Sequence, residues 1–163
     1  MKTLILMRHA KSSWKEPELA DHERPLNKRG EKDAPRMGRL LKDKKLVPDH
    51  IFSSTAVRAR QTVEGLVDKS GFKHNIDYID GLYMAEPSGV IEILKQTPDK
   101  VDSVLLVGHN PGLEGLVQIL SRKVESLPTG SIARLSLPID RWEELSLSTE
   151  GKLKNIYRPR ETK

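Results

Sequence analysis

The stretch Thr3 to Ser13, TLILMRHAKSS, sets four apolar residues in a row, Leu4 to Met7, between polar flanks and then breaks into Arg8 and His9. A half-solvated strand alternates polar and apolar residues, so an unbroken run of this length reads as a strand buried on both faces of a sheet. In an open α/β sheet, ligands bind in the crevice outside the carboxyl ends of the strands. Arg8 and His9 stand at such an end and are a candidate site on that ground alone.

Outward from this strand, Lys11 to Arg24 is a polar loop holding Trp14, Pro17 and Asp21. Loops longer than about 12 residues in compact domains are usually functional or disordered. A helix opens near Asn27, a good N-cap, with Ala34, Met37, Leu40 and Leu41 at helical spacing. Pro35 lies inside it and should kink it, unless the regular helix starts nearer Asp33. His50 to Ser53 reads as a second strand, and Ala59, Thr62, Val63, Leu66 and Val67 mark a helix from about Ala56 to Lys69 that stops at Gly71. Asn75 to Ile79 is a third strand, and Val90, Ile91 and Leu94 mark a short helix before Pro98. Val104 to Val107, again apolar without interruption, is a fourth strand leading into Gly108-His109-Asn110-Pro111-Gly112. Leu113, Leu116, Val117 and Leu120 give the helix after it. Ile132 to Leu137 and Trp142 to Leu147 are expected to pair as a hairpin at the sheet edge. Strands alternating with helices predict an α/β fold, a mostly parallel sheet covered on both faces. With no repeat, low-complexity segment or linker, residues 1–163 read as one domain.

A chain of this length buries about 70% of its unfolded surface, enough for a core without disulfide or metal. The absence of cysteine fits a reducing compartment. Arg8 cuts the first apolar run short of the roughly 7–15 residues of a secretory signal, and no later run approaches a membrane span. The expected location is cytoplasmic, with no membrane partner. The net charge of +5 raises a nucleic-acid reading. From about 150 onward, however, Lys152, Lys154, Arg158, Arg160 and Lys163 face only Glu150 and Glu161, which puts +3 of that charge in a short basic C-terminal tail. Such a tail reads as a solvated terminus, and aromatics at 4% are not interleaved with the basic residues. No nucleic-acid partner is expected.

Three strand ends carry similar chemistry: Arg8-His9, Ser53 to Arg58, and His109-Asn110. In a doubly wound sheet the parallel strands end at one edge, where two histidines and two arginines can meet. That set suits a phosphoryl group. Arg8 and Arg58 offer planar forks that grip phosphate oxygens and stay charged at any relevant pH. A histidine among arginines has its charged form disfavoured and stays neutral, the nucleophilic form. His9 is then the candidate nucleophile, and His109 the donor to a nonbridging oxygen in the transition state. A metal centre is not expected: there is no Cys and no His-x-x-x-His pair, and arginines repel a cation. No glycine-rich dinucleotide fingerprint follows the first strand, and no cofactor is expected.

Arg8-His9-Ala10, the loop DHERPLNKRG from Asp21 to Gly30, Ser53-Ser54-Thr55-Ala56-Val57-Arg58-Ala59, and Val107-Gly108-His109-Asn110-Pro111 occur in this order. Together they resemble the histidine phosphatase superfamily, in particular its short phosphohistidine phosphatase branch. The resemblance covers nearly the whole chain, including Pro128-Thr129-Gly130-Ser131. It implies a three-layer α/β/α sandwich, the phosphoglycerate mutase-like fold, with His9 as nucleophile, Arg8 and Arg58 in the phosphate pocket and His109 as the second histidine.

Larger members of that family, which act on sugar phosphates, carry insertions and an acid that protonates the leaving oxygen. This chain is short, and Glu86 is the nearest candidate for the acid by sequence order. Imidazole leaving a phosphoramidate needs less help than an alkoxide, since its unperturbed pKa is near 6.5. The expected activity is therefore a metal-independent hydrolysis through a covalent phosphohistidine, on a phosphohistidine-bearing protein. Small phosphomonoesters are the alternative substrates, and a noncatalytic phospho-ligand binding module is the alternative class. Arg24, Ser12 and Asn110 are further candidates for substrate contact.

Overall fold

Residues 1–161 are described by the computed structural model. Strands β1 (Lys2–Arg8), β2 (His50–Ser54), β3 (Ile76–Ile79), β4 (Ser103–Gly108), β5 (Ile132–Leu137) and β6 (Lys152–Tyr157) form one sheet of order β3-β2-β4-β1-β5-β6. β1 pairs in parallel with β4, β4 with β2, and β2 with β3, while β5 runs antiparallel to both β1 and β6. The sheet is thus mixed and mostly parallel. The helices are α1 (Lys28–Asp43), α2 (Val57–Ser70), α3 (Pro87–Leu94) and α4 (Gly112–Ser121).

The alternation of β1 explains the three layers. Leu4 and Leu6 face a cluster built with Val90, Ile91 and Leu94 of α3 and Leu113, Leu116 and Val117 of α4. Ile5 and Met7 face the other way, onto Met37 and Leu41 of α1 and Ala59, Val63 and Leu66 of α2. All four β1 residues are fully buried, as are Val104 to Val107. Burying such a side chain contributes about 1.5–3 kcal/mol relative to leaving it exposed, so the two apolar runs dominate the core. The α1 and α2 axes come close at Gly38, where an added Cβ would lie 2.2 Å from the Leu66 carbonyl oxygen.

Asn27 caps α1 as expected, its Oδ1 accepting from the Gly30 N–H at 2.9 Å. The helix runs from Lys28 through Pro35 rather than starting nearer Asp33. Pro35 is housed against Gly65 of α2, where a Cβ would stand 3.2 Å from the proline Cδ.

Two expectations are overturned. Trp142 to Leu147 does not pair with β5. Trp142–Glu144 is a 3₁₀ turn that drops Trp142 into the core, its indole N–H donating to the Val101 carbonyl at 2.7 Å. A tryptophan with a buried partner for its N–H gains more inside than on an edge strand. The partner of β5 is β6, which lies in the stretch expected to be a solvated basic tail. Lys152 and Lys154 point outward while Ile156 packs against the core, so the basic residues decorate an edge strand. Lysines on an edge also discourage pairing with another chain. Lys163, the last basic residue of that stretch, lies outside the described residues. Among the described residues, no helix is long and apolar enough to cross a membrane.

Candidate active site

β1, β4 and β2 end side by side, with Arg8 opposite Gly108 and Ser53 opposite Val107. This register delivers Arg8, His9, His109 and, from the first turn of α2, Arg58 to one cleft of about 370 Å³ at the carboxyl edge of the sheet. The four residues expected to carry the chemistry all line it. The His9 and His109 ring centroids are 5.1 Å apart.

His9 is held in one tautomer. Its Nδ1 lies 2.8 Å from the Ala10 carbonyl, an acceptor only, so Nδ1 carries the proton. Nε2 is left with a lone pair, and the Arg58 Nε–H donates to it at 3.3 Å. Burial is the first cause that pulls the His9 pKa down, to about 3; His109, Arg58 and Arg8 lower it further while the Ala10 bond opposes them. The neutrality expected from arginine neighbours is therefore present, with desolvation as its main source. The loop behind His9 is tied to α2: the Ala10 N–H donates to Thr62 Oγ1 at 2.9 Å, and the Thr62 hydroxyl donates to the Arg58 carbonyl at 2.7 Å.

His109 is brought to about 4, again by burial first and then by Arg58. Its Nε2 lies 2.8 Å from Ser54 Oγ, which already accepts from the Ala56 N–H. Ser54 is fully buried, and because its hydroxyl proton has no other acceptor among the described residues we assign that proton to the bond with His109 Nε2. That places the His109 proton on Nδ1, which is buried and has no hydrogen-bond partner among the described residues. An unsatisfied N–H is an open donor for an anion.

The arginines are arranged around Asp21. Arg58 Nη1 donates to the Asp21 carbonyl at 2.7 Å and Nη2 to its Oδ2 at 3.0 Å. Arg24 Nη1 donates to Asp21 Oδ1 at 2.9 Å, Nε to the Ser13 carbonyl at 3.0 Å, and Nη2 to the Ser12 hydroxyl. The Tyr83 hydroxyl donates to Asp21 Oδ2 at 2.5 Å. This bond, with Arg24 and Arg58, holds the Asp21 carboxyl well below the usual carboxylate range. The same contact pushes Tyr83 up. Arg8 donates from Nη1 to the Leu127 carbonyl at 3.2 Å, and its buried Nε has no partner among the described residues.

Among the further candidates, Arg24 and Ser12 line the cleft and bond to each other. Asn110 lines it too, but its amide is engaged: Nδ2 donates to the Leu127 carbonyl at 3.0 Å and Oδ1 accepts from the Glu114 N–H at 3.2 Å. Glu86 is exposed at the N-cap of α3 and does not line the cleft; Met84 does. Asp21, Tyr83, Ser54 and Thr62 are partners that the motifs alone do not single out. Asp21 has one local signal, its place three residues before Arg24 in a polar loop; Tyr83 has none, since Asp21 is 62 residues away, and Thr62 shows only its helical spacing to Arg58, its other partner, Ala10, being 52 residues away.

Comparison with known proteins identifies the family and the fold. A family model described as the histidine phosphatase superfamily (branch 1) matches residues 4–83. An uncharacterized chloroplastic protein of Arabidopsis thaliana is 35% identical over 97% of this chain and 78% of its own length. Two solved structures, each of a candidate phosphohistidine phosphatase SixA, superpose over 97% of this chain. The one from Agrobacterium tumefaciens has a TM-score of 0.83 at 29% identity and 98% coverage of its own chain. The one from Nakamurella multipartitia has 0.85 at 25% identity and 96% coverage.

Proposed function

The chain belongs to the histidine phosphatase superfamily, and from that premise we propose that it hydrolyses protein phosphohistidine through a covalent intermediate on His9, without a metal. The observation that carries the choice of substrate is the state of the carboxylates. Asp21 is the only acid lining the cleft among the described residues, and Tyr83, Arg24 and Arg58 keep it ionised. An ionised carboxylate cannot protonate an alkoxide. Met84, which also lines the cleft, offers no proton.

The chemistry then suits a leaving group that needs little protonation. A phosphoryl group gripped by Arg8 and Arg58, and by the open Nδ1–H of His109, would face the lone pair on His9 Nε2. The new P–Nε2 bond forms as the bond to the substrate imidazole breaks in line, and that imidazole takes its proton from solvent. Attacking and departing atoms are both imidazole nitrogens, so the transfer is nearly balanced without a protein acid. Water then attacks phosphorus, the P–Nε2 bond breaks, and inorganic phosphate leaves with His9 neutral again.

The test is turnover of a histidine-phosphorylated protein, of p-nitrophenyl phosphate, and of β-glycerophosphate, in the presence and absence of EDTA. The first two should be hydrolysed and the third, with its alkoxide leaving group, should not. EDTA should have no effect, and His9→Ala should remove both activity and the acid-labile label trapped on the enzyme. Fast hydrolysis of β-glycerophosphate would overturn the substrate class. Tight binding of phosphate with no turnover of any substrate would leave a phospho-ligand binding module.

A further inference from the structure

The cleft that holds His9 does not end at Arg8. Arg8, Lys11 and Thr129 also line a second cleft of about 450 Å³, whose remaining wall includes Arg29, Arg158 and Arg160. Arg29 and Arg160 in turn border a third depression with Lys28, Lys32 and Arg36. From Lys28 to Arg36 the helix rises by eight residue steps, roughly 12 Å at 1.5 Å per residue. The acids along this path are few: Asp33, which is buried between Arg29 and Arg36 at 3.5 and 3.7 Å, and Glu125 and Glu161, which both pair with Arg158 at 3.3 and 3.4 Å. Lys28, Lys32 and Arg160 are exposed. The net charge of +5 is thus concentrated along one path that starts at the phosphoryl-binding arginine.

We infer that this path, from Arg8 and Lys11 across Arg160 to Lys28 and Lys32 on α1, docks an acidic stretch of the protein that carries the phosphohistidine. The inference rests on the phosphatase reading of the same cleft. A surface of one sign steers an oppositely charged partner and fixes its orientation. The path runs through two further depressions beyond the cleft that holds His9, which favours an extended polypeptide over a single phosphorylated metabolite. The mouth of the cleft supplies a second mark of a protein partner. Trp14 and Met84 line it while 75% and 58% exposed, and aromatic, Met and Arg side chains are enriched at interface cores.

The experiment uses two synthetic phosphohistidine peptides of equal length, one bearing a run of four Glu beside the phosphohistidine and one bearing Gln instead, with the run placed on either side in separate pairs. The acidic peptide should show a KM about tenfold lower in at least one placement, and the gap should close at about 0.5 M salt. In Lys28→Glu/Lys32→Glu, two exposed residues outside the catalytic cleft, the gap should also close. That variant should keep its melting temperature and its kcat/KM for p-nitrophenyl phosphate. Equal KM values for both peptides, with normal hydrolysis, would overturn the docking surface and leave the phosphatase standing. No hydrolysis of any substrate would remove the phosphatase reading and the docking role together. Fluorescent duplex DNA that binds the unaltered protein but not the variant, alongside equal peptide KM values, would reassign the surface to nucleic acid.

Discussion

Arg58 donates its Nε–H to the Nε2 of His9 at 3.3 Å while its two other nitrogens are fixed on Asp21. One guanidinium therefore spans the reactive lone pair and a carboxylate on the opposite side. A phosphoryl group entering the cleft would meet a donor already beside the point of attack, and the Arg58 Nε–H would pass from the His9 lone pair to a phosphoryl oxygen as that lone pair turns to phosphorus. Lysine cannot reproduce this, since its ammonium is a single point and not a planar fork.

Both histidines should remain neutral through the physiological range. With values of about 3 and about 4, set first by burial, the ring resonances of His9 and His109 should not move between pH 8 and 6 in an NMR titration. The linked effect on stability has a definite sign. In the unfolded chain both titrate near 6.5, so below that pH the unfolded state binds more protons and stability falls as the solution is acidified. Each buried histidine costs about 1.4 kcal/mol per pH unit between its unfolded and folded values. A denaturation series from pH 7 to 5 should show this fall, and His109→Asn should lessen it. Histidine midpoints near 6.5 in the folded protein would refute the burial argument.

The tautomer of His109 makes a sharper prediction. With the Ser54 hydroxyl donating a hydrogen bond to Nε2, the N–H left to face the cleft is on Nδ1. The amide nitrogen of asparagine overlays Nδ1, and that of glutamine overlays Nε2. His109→Asn should therefore retain more of kcat than His109→Gln, with losses of about 10–100-fold and 100–1000-fold respectively for one donor of this kind. Ser54→Ala should lower kcat by about tenfold with little change in KM, because the proton is freed to shift to Nε2. The reverse order of the two His109 variants would assign the proton wrongly.

Much of this site is legible in the sequence because strand ends are. Leu4 to Met7 and Val104 to Val107 are apolar without interruption, and whatever follows two adjacent buried parallel strands must lie at one edge. The helix stripes were read on the same local pattern. What local pattern cannot carry is a partner far along the chain. Trp142 clusters with Leu145 and Leu147 as a strand would, yet its indole finds the Val101 carbonyl, 41 residues away. Lys152 to Tyr157 looks like a charged terminus until β5 pairs with it. Asp21 meets Tyr83 across 62 residues. Its spacing to Arg24 gives half of its role, and the other half exists only after folding.

Asp21 sets the charge of the pocket as well as its geometry. Its carboxylate neutralises part of Arg24 and Arg58, so replacing it should strengthen anion binding while loosening the guanidinium. Asp21→Asn should lower the inhibition constant for inorganic phosphate about tenfold, the effect of removing one unit of charge a few ångströms from the ligand at a partly solvated site. Release of phosphate would slow accordingly, and kcat should fall. Tyr83, pushed up chiefly by its bond to Asp21, should move back toward 10, visible as one tyrosine shifting to lower pH in an ultraviolet titration. Unchanged phosphate inhibition in Asp21→Asn would show that the carboxylate does not bear on the pocket.

Gly30 joins the scaffold to the loop that carries His9, the proposed nucleophile. An added Cβ there would lie 2.2 Å from the Lys11 carbonyl oxygen and 3.0 Å from the Lys11 nitrogen, backbone atoms two residues after His9. The same carbonyl accepts from the Asn27 N–H at 3.0 Å, so the first turn of α1 rests directly on the loop that leaves β1. Neither side can yield by turning a side chain. Gly30→Ala should therefore separate α1 from Lys11 and cost about 1–3 kcal/mol, even though alanine is the better helix former. Because the loop carries His9 and Ala10, whose carbonyl fixes the His9 tautomer, the variant should lose kcat toward small and protein substrates alike. Its melting temperature and its p-nitrophenyl phosphate activity should fall together. A variant as stable as the parent, or one destabilised yet fully active below its transition, would show that the α1 contact does not position the nucleophile.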